Sequence, residues 1–184
     1  MTTVSAPERI ETDRLVLRRP VRTDAEAIFT RYSADIEVTR FLSWPRHTSV
    51  DDALIFLGFS DGEWRRWGCG PYLACDRADG RVLGSTGLAF ESPDVAQTGY
   101  VFARDAWGRG YATESLRAMI AIGESLRLRR LYAICHVDHH ASSRVLEKCG
   151  FEHEGILPRH TLFPNLSREP ADVRSYALRR KPVY

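Results

Sequence analysis

The sequence predicts an α+β fold, and three observations carry that prediction. Its 184 residues suffice for one domain with a sizeable core, at roughly 100–200 residues per domain. Short apolar runs of strand character alternate with stretches at helical spacing, in the order β-α-α-β-β-β-α-β-α-β-β. A loop with two glycines, Trp107-Gly108-Arg109-Gly110, stands between a strand and a helix.

The first strand is read at Arg14 to Arg19, apolar at its centre and ended by Pro20. Thr23-Asp24 offers an N-cap for a helix to about Tyr32, with Ala25, Ile28 and Phe29 as its buried stripe. Asp35 to Phe41 reads as a short helical turn stopped before Pro45. Ser49-Val50-Asp51-Asp52 starts the next helix, whose apolar positions Ala53, Phe56, Leu57 and Trp64 keep helical spacing. From Gly68 the period changes: Pro71 to Asp76, the turn Ala78-Asp79-Gly80 and Val82 to Phe90 form a hairpin, because Asp and Gly supply the angles a tight connection needs. Gln97 to Ala103 is another strand. After the glycine loop, Tyr111 to Leu126 is a helix with the stripe Ala112, Leu116, Met119, Ile120 and Ile122. Leu131 to Val137 is a strand, and Ala141 to Lys148 a short helix closed by Cys149-Gly150. Strands near Phe151 to Leu157 and Val173 to Leu178 follow, joined by a long polar loop holding Pro158, Pro164 and Pro170.

Composition excludes several classes. With 43% hydrophobic and 27% charged residues, collagen-like and largely disordered readings fall away. The chain has 24 Arg and 2 Lys against 12 Asp and 12 Glu, a formal net charge of only +2. So small an excess gives little support to nucleic-acid binding, and the Arg127-Arg129-Arg130 cluster is offset elsewhere. The start lacks the apolar core of an export signal and no window approaches 18 uninterrupted apolar residues, so a cytoplasmic protein without membrane attachment is expected. Cys69, Cys75, Cys135 and Cys149 form no CxxC pattern, and neither disulfides nor a metal is expected. His139-His140 beside Asp138 suggests a metal only superficially, because adjacent side chains on a regular element diverge.

The glycine loop carries the chemical signal. Glycines two apart let the backbone approach a ligand, and the first turn of the following helix presents unpaired N–H groups and a positive dipole end. A pyrophosphate suits that cradle, while a ligand-free β-to-α turn would use the same glycines. The loop is neither a Rossmann fingerprint, since Thr113 stands where a third glycine is needed, nor a Walker loop.

Three ordered blocks make the pattern more specific: Thr98-Gly99-Tyr100-Val101-Phe102, then Trp107 through Glu114, then Ser142-Ser143-Arg144-Val145-Leu146-Glu147-Lys148-Cys149-Gly150-Phe151. Together they resemble the GNAT acetyltransferase superfamily, and within it the branch of ribosomal-protein N-terminal acetyltransferases, RimJ and RimL. The opening Glu11-Thr12-Asp13-Arg14-Leu15-Val16-Leu17-Arg18 and the closing Asp172 to Leu178 are similar to that branch as well. The resemblance implies a single domain over 1–184, with a mixed, mostly antiparallel sheet of about seven strands, helices on both faces, and a splay between the fourth and fifth strands.

It further implies transfer of an acetyl group from acetyl-CoA to a primary amine, on a peptide N-terminus or a small molecule, by a monomer or homodimer. Val101, Phe102 and Ala103 would face the pantetheine arm. Trp107, Gly108, Arg109, Gly110, Tyr111, Ala112 and Thr113 would hold the pyrophosphate, with Arg104 and Arg109 as the guanidinium candidates. The N–H of Val101 or Phe102 would meet the developing oxyanion. Ser142 matches the serine of the family's Asn-x-x-Ser segment, near the cofactor sulfur, and otherwise serves as a helix N-terminal serine. His139 replaces the Asn. For the base, Gln97 stands near the position where many relatives carry Glu, so Glu91 and His136 are the candidates, with a water chain as the alternative. The acceptor pocket falls to the stretch Phe41 to Trp67, with Trp44, Trp64 and Trp67, and to the loop Arg159 to Pro170. A non-catalytic acyl-CoA-binding or sensing module is the competing reading, favoured by Gln97.

Overall fold

The computed structural model describes residues 5–178. Eight strands form one sheet: β1 (Arg9–Glu11), β2 (Leu15–Arg18), β3 (Pro71–Asp76), β4 (Val82–Ser92), β5 (Val95–Phe102), β6 (Arg130–His136), β7 (Phe151–Leu162) and β8 (Pro170–Leu178). Their order is β1-β2-β3-β4-β5-β6-β8-β7, antiparallel throughout except for the parallel pair β5/β6. The strand beyond the seven expected is β1, three mostly exposed residues whose polar ends leave no readable period. The splay expected between the fourth and fifth strands accordingly lies between β5 and β6.

Side-chain alternation along the strands divides the core into two clusters. Leu15 and Leu17 of β2 and Tyr72 and Ala74 of β3 join Leu116, Met119 and Ile122 of α4 (Tyr111–Ser125) and Leu146 of α5 (His140–Lys148). Val16, Leu73 and Cys75 instead join Ala25 and Ile28 of α1 (Ala25–Ile28) and Ala53 and Leu57 of α3 (Val50–Trp67). Helices thus cover both faces, as expected. At the start of α3 the Asp52 carboxylate accepts the N–H groups of Thr48 and Ser49 at 2.7 and 3.1 Å, satisfying donors that a helix end leaves open.

The helix expected to about Tyr32 is composite. A 3₁₀ turn at Arg22–Asp24 precedes α1, and a π turn at Phe29–Ser33 follows it, closed by the bond from Ala34 N–H to the Phe29 carbonyl at 3.1 Å. Asp24 anchors the start: it accepts the Val21 N–H at 2.8 Å and two bonds from Arg18 of β2 at 2.8 and 2.6 Å. The expected turn near Asp35 is α2 (Ile36–Thr39). The long proline-bearing loop is mostly strand, with only 163–169 left outside β7 and β8. Pro158 is tolerated because β7 is an edge strand, and a register shift between Leu157 and Thr161 absorbs it. Among the described residues, no helix is long and apolar enough to cross a membrane.

Candidate active site

β5 and β6 pair over only three positions: Val95 with Arg130, Ala96 with Leu131, Gln97 with Tyr132. Beyond Gln97 each strand stays bound to its other neighbour, β5 to β4 as far as Phe102 and β6 to β8 as far as His136. The two strands therefore diverge, and a cleft of about 460 Å³ opens between them. Its walls include Thr98, Gly99, Tyr100 and Val101 of β5, Ala133, Ile134 and Cys135 of β6, and Ser142 and Leu146 of α5.

Strand alternation identifies which backbone groups face that gap. Ala103 N–H bonds the Leu83 carbonyl at 2.7 Å, so Val101, two residues back, also turns its N–H toward β4. The N–H groups of Tyr100 and Phe102 turn the other way. The Phe102 carbonyl on this edge accepts the Trp107 indole N–H at 2.7 Å, which fixes the exposed Trp107 at the start of the glycine loop.

Gly108 and Gly110 both adopt left-handed backbone angles, φ 71° and 82°. A Cβ at Gly108 would meet nothing, and one at Gly110 only Arg14 Nη2 at 3.4 Å, so conformation and not internal crowding calls for glycine here. The first helical bond of α4 runs from Glu114 N–H to the Gly110 carbonyl at 3.0 Å. The amides of Tyr111, Ala112 and Thr113 precede it, the open donors of a helix N-terminus. This cradle of glycine backbone and N–H groups fits a pyrophosphate.

The loop is tied to the first hairpin. Arg14 donates to the Arg109 carbonyl at 2.8 Å, pairs with Glu114 at 2.7 Å, and stacks over the Tyr111 ring at 4.7 Å. Thr12 donates to the same carboxylate at 2.6 Å. Burial alone would raise the Glu114 carboxyl, but the bonds from Thr12 and from the Arg14 backbone and side chain more than offset it and hold the group below its ordinary value. Nothing local in the sequence marks Arg14, since its partners lie about a hundred residues away. The two guanidinium candidates part company: Arg104 pairs with Asp35 at 2.6 Å, and Arg109 lies 5.5 Å from the Tyr111 ring.

Ser142 lines the cleft, and its partner is a residue the sequence did not single out for this role. The Tyr100 hydroxyl lies 3.0 Å from Ser142 Oγ and donates to the Ser142 carbonyl at 3.2 Å. Burial pushes the Tyr100 phenol well above its ordinary value. His139 also lines the cleft; burial, with His136 and His140 adding repulsion, pushes its imidazole down to about 4, so the ring is neutral near pH 7. Phe41 stacks on both His136 and His139, at 5.0 and 4.8 Å between ring centroids.

Neither candidate base lines the cleft. His136 is buried, its Nδ1 accepting the Asp138 N–H at 3.1 Å and its ring edge-on to Phe163, and it does not line the cleft. Glu91 accepts from the Tyr132 hydroxyl, which also lies 3.3 Å from the Gln97 amide oxygen. Burial and the Glu91 carboxylate push Tyr132 up to about 12. Gln97 lines the cleft; Glu91 stands one hydroxyl behind it.

The acceptor segments divide, and of their three tryptophans only Trp44 reaches the cleft. Phe41, Trp44, Phe56, Phe59 and Phe163 all line the cleft, whereas Trp64 packs edge-on against Tyr72 and Trp67 stacks on Phe90. One side chain joins the two sides: Asn165 donates to the carbonyls of Thr39 and Trp44 at 2.8 and 2.9 Å and accepts the Arg46 N–H at 2.7 Å.

Comparison with known proteins gives a consistent picture. The family described as Acetyltransferase (GNAT) domain matches residues 14–152. A Bacillus subtilis (strain 168) protein, described as uncharacterized N-acetyltransferase YoaA, is 32% identical over 178 residues, covering 92% of this chain and 95% of its own. RimL, a ribosomal L7/L12 alpha-N-protein acetyltransferase solved with coenzyme A, superposes with a TM-score of 0.82 at 23% identity, covering 92% of this chain and 97% of its own. The microcin C7 self-immunity acetyltransferase MccE, solved with acetyl-CoA and AMP, does so with 0.81 at 20% identity, over 94% and 96%. At these identities the two structural likenesses are likenesses of fold.

Proposed function

The chain belongs to the GNAT acetyltransferase family, whose reaction is acetyl transfer from acetyl-CoA to an amine, and from that premise we propose that it acetylates a primary amine by direct attack, with both substrates held together. The observation that carries this reading is the divergence of β5 and β6 beside the glycine loop. It supports the reading because Tyr100, Val101 and Ser142 line the cleft that it opens, and the glycine loop and the start of α4 follow directly after β5 in the chain.

Acetyl-CoA supplies an activated acyl thioester. The protein supplies position and electrostatics. Gly108 through Thr113 receive the pyrophosphate on backbone N–H groups. Of the two amides considered for the oxyanion, alternation favours Phe102, whose N–H faces the gap and meets the negative charge developing on the thioester oxygen. When the Tyr100 proton turns from the Ser142 carbonyl to Ser142 Oγ, which lies 3.0 Å away, the Ser142 hydroxyl is free to donate to the departing thiolate. As the N–C bond forms and the C–S bond breaks, the ammonium must already have lost a proton, because an α-amine has an ordinary pKa near 8. Glu91, one hydroxyl behind Gln97, is better placed to draw that proton than the enclosed His136. Holding the amine against the thioester removes much of the entropic barrier.

The decisive experiment incubates the protein and acetyl-CoA with a panel of peptides and small amines, following thiol release and product mass. Acetylated amine is the expected result. Tight acetyl-CoA binding with no product from any amine would establish the non-catalytic module instead. Gly110→Val serves as the control: a β-branched residue at φ 82° is strained and obstructs backbone approach, so calorimetric affinity for acetyl-CoA should fall at least tenfold. Normal affinity in that variant would contradict the loop assignment.

Arg14→Ala tests the clamp on the loop. The guanidinium is about half exposed, at 48%, so its loss is expected to cost only about 1 kcal/mol of binding, read as a roughly fivefold rise in KM for acetyl-CoA with kcat little changed. An unchanged KM would show that the loop holds its shape without the hairpin.

A further inference from the structure

Among the described residues that line the cleft, one alone carries a carboxyl, guanidinium or ammonium side chain: Glu63. It is half-buried, and among the described residues no arginine or lysine forms a salt bridge with it, although α3 carries Arg65 and Arg66 close by; Arg66 lies over the Trp67 ring at 4.8 Å instead. Phe56, Phe59 and Glu63 fall at helical spacing on α3, so all three present to the cleft from one helix face. Phe41 and Trp44 line the same space. A carboxylate among aromatic rings, lacking a cation of its own, recognises an organic cation: the rings attract it through their faces and the carboxylate pairs with it.

Geometry separates this carboxylate from the reacting edge. Glu63 packs beside Gly70, where an added Cβ would come within 3.2 Å of the Glu63 Cβ. The next residue, Pro71, faces Gly87, which faces Gly99 on β5. Two strand spacings, about 10 Å, therefore lie between Pro71 and the strand that borders the gap. The floor between them is Gly87, Ala89 and Gly99, with little or no side chain to obstruct an extended ligand. On the far side, Asn165 fastens the turn after β7 to the segment that carries Phe41 and Trp44. That fixed bridge, with a cleft of about 460 Å³, suits a small molecule.

From these features we infer that the acceptor is a small aliphatic diamine, one nitrogen taking the acetyl group while the second, still an ammonium, pairs with Glu63. This deepens the acetyltransferase reading and rests on it. The product keeps the charge at Glu63 and loses it at the reacting nitrogen, where the amide forms.

The test compares cadaverine and 1,7-diaminoheptane with pentylamine and heptylamine, and with a short peptide bearing a free N-terminus, in two assays: turnover with acetyl-CoA, and calorimetric binding to the protein saturated with coenzyme A. The diamines should exceed the monoamines by about tenfold in kcat/KM and in affinity, and Glu63→Gln should bring both ratios close to one. Turnover without a diamine preference overturns the inference and leaves the acetyltransferase reading standing. A binding preference without turnover overturns the reaction and keeps the diamine site. Three further results overturn the inference: a peptide turned over faster than any diamine, a ratio unmoved by Glu63→Gln, or an equal fall for both amine classes in that variant. The last would make Glu63 the base. A melting temperature for Glu63→Gln matching the parent keeps each comparison interpretable.

Discussion

Ser142→Ala should lower kcat by about a hundredfold while KM for acetyl-CoA stays within about twofold. The asymmetry follows from where the hydroxyl acts. The proposed pyrophosphate cradle is backbone around Gly108 and Gly110, more than thirty residues earlier in the chain. Ser142 Oγ lies 3.0 Å from the Tyr100 hydroxyl, whose phenol burial holds well above its ordinary value. Removing Oγ leaves the departing thiolate without that donor and leaves the backbone cradle untouched. Tyr100→Phe separates the two parts: it keeps the Ser142 hydroxyl and removes the group that orients it, so its kcat should fall by less than that of Ser142→Ala. Pre-steady-state thiol release gives the chemical step directly. Unaltered turnover in Ser142→Ala would remove Ser142 from the mechanism and leave it a helix N-terminal serine.

The second large effect concerns stability. Gly84 faces Phe102 across the β4/β5 pair, and a Cβ there would overlap the Val101 carbonyl oxygen and approach the Phe102 Cα to 2.8 Å. Both obstacles are backbone, which no rotamer change can move aside. Gly84→Ala must therefore push β5 away from β4 at the end where the cleft opens, and a loss of about 3 kcal/mol is expected, read as the shift in urea midpoint at constant slope. Gly99→Ala is the companion: nothing lies within 4 Å of a Cβ there, so its urea midpoint should barely move. Equal midpoints for the two variants would mean that the β4/β5 pair yields locally without cost.

Legibility in the sequence followed the range of the interactions. The glycine loop and α4 were readable because a left-handed turn and a helical stripe are each written in a few consecutive residues. The β3/β4 hairpin was readable for the same reason, through Asp79 and Gly80. By contrast, the divergence of β5 from β6 depends on strands joined through α4, and periodicity gives no notice of where a parallel pair stops. The Tyr100 to Ser142 contact spans 42 residues and the Arg14 to Glu114 contact 100, so neither leaves a local pattern. Pro158 misled in the other direction: it reads as a break, yet a strand at the sheet edge can spare its N–H. Arg104 adjoins the loop in sequence and so reads as a phosphate ligand, yet Asp35, from a helix-capping position far earlier in the chain, takes it instead.

The three-position pairing of β5 with β6 bears on how freely this protein can drift in sequence. Past Gln97 the sheet has two facing inner edges that no strand of this chain joins, and under the function proposed above the cosubstrate's amide-bearing arm would act there as a short foreign strand that completes the weave. Recognition written in peptide groups is indifferent to side-chain identity. Positions along that border can change residue without changing what they hold, provided the backbone path survives, and selectivity is then free to evolve separately at the aromatic end of the same cleft.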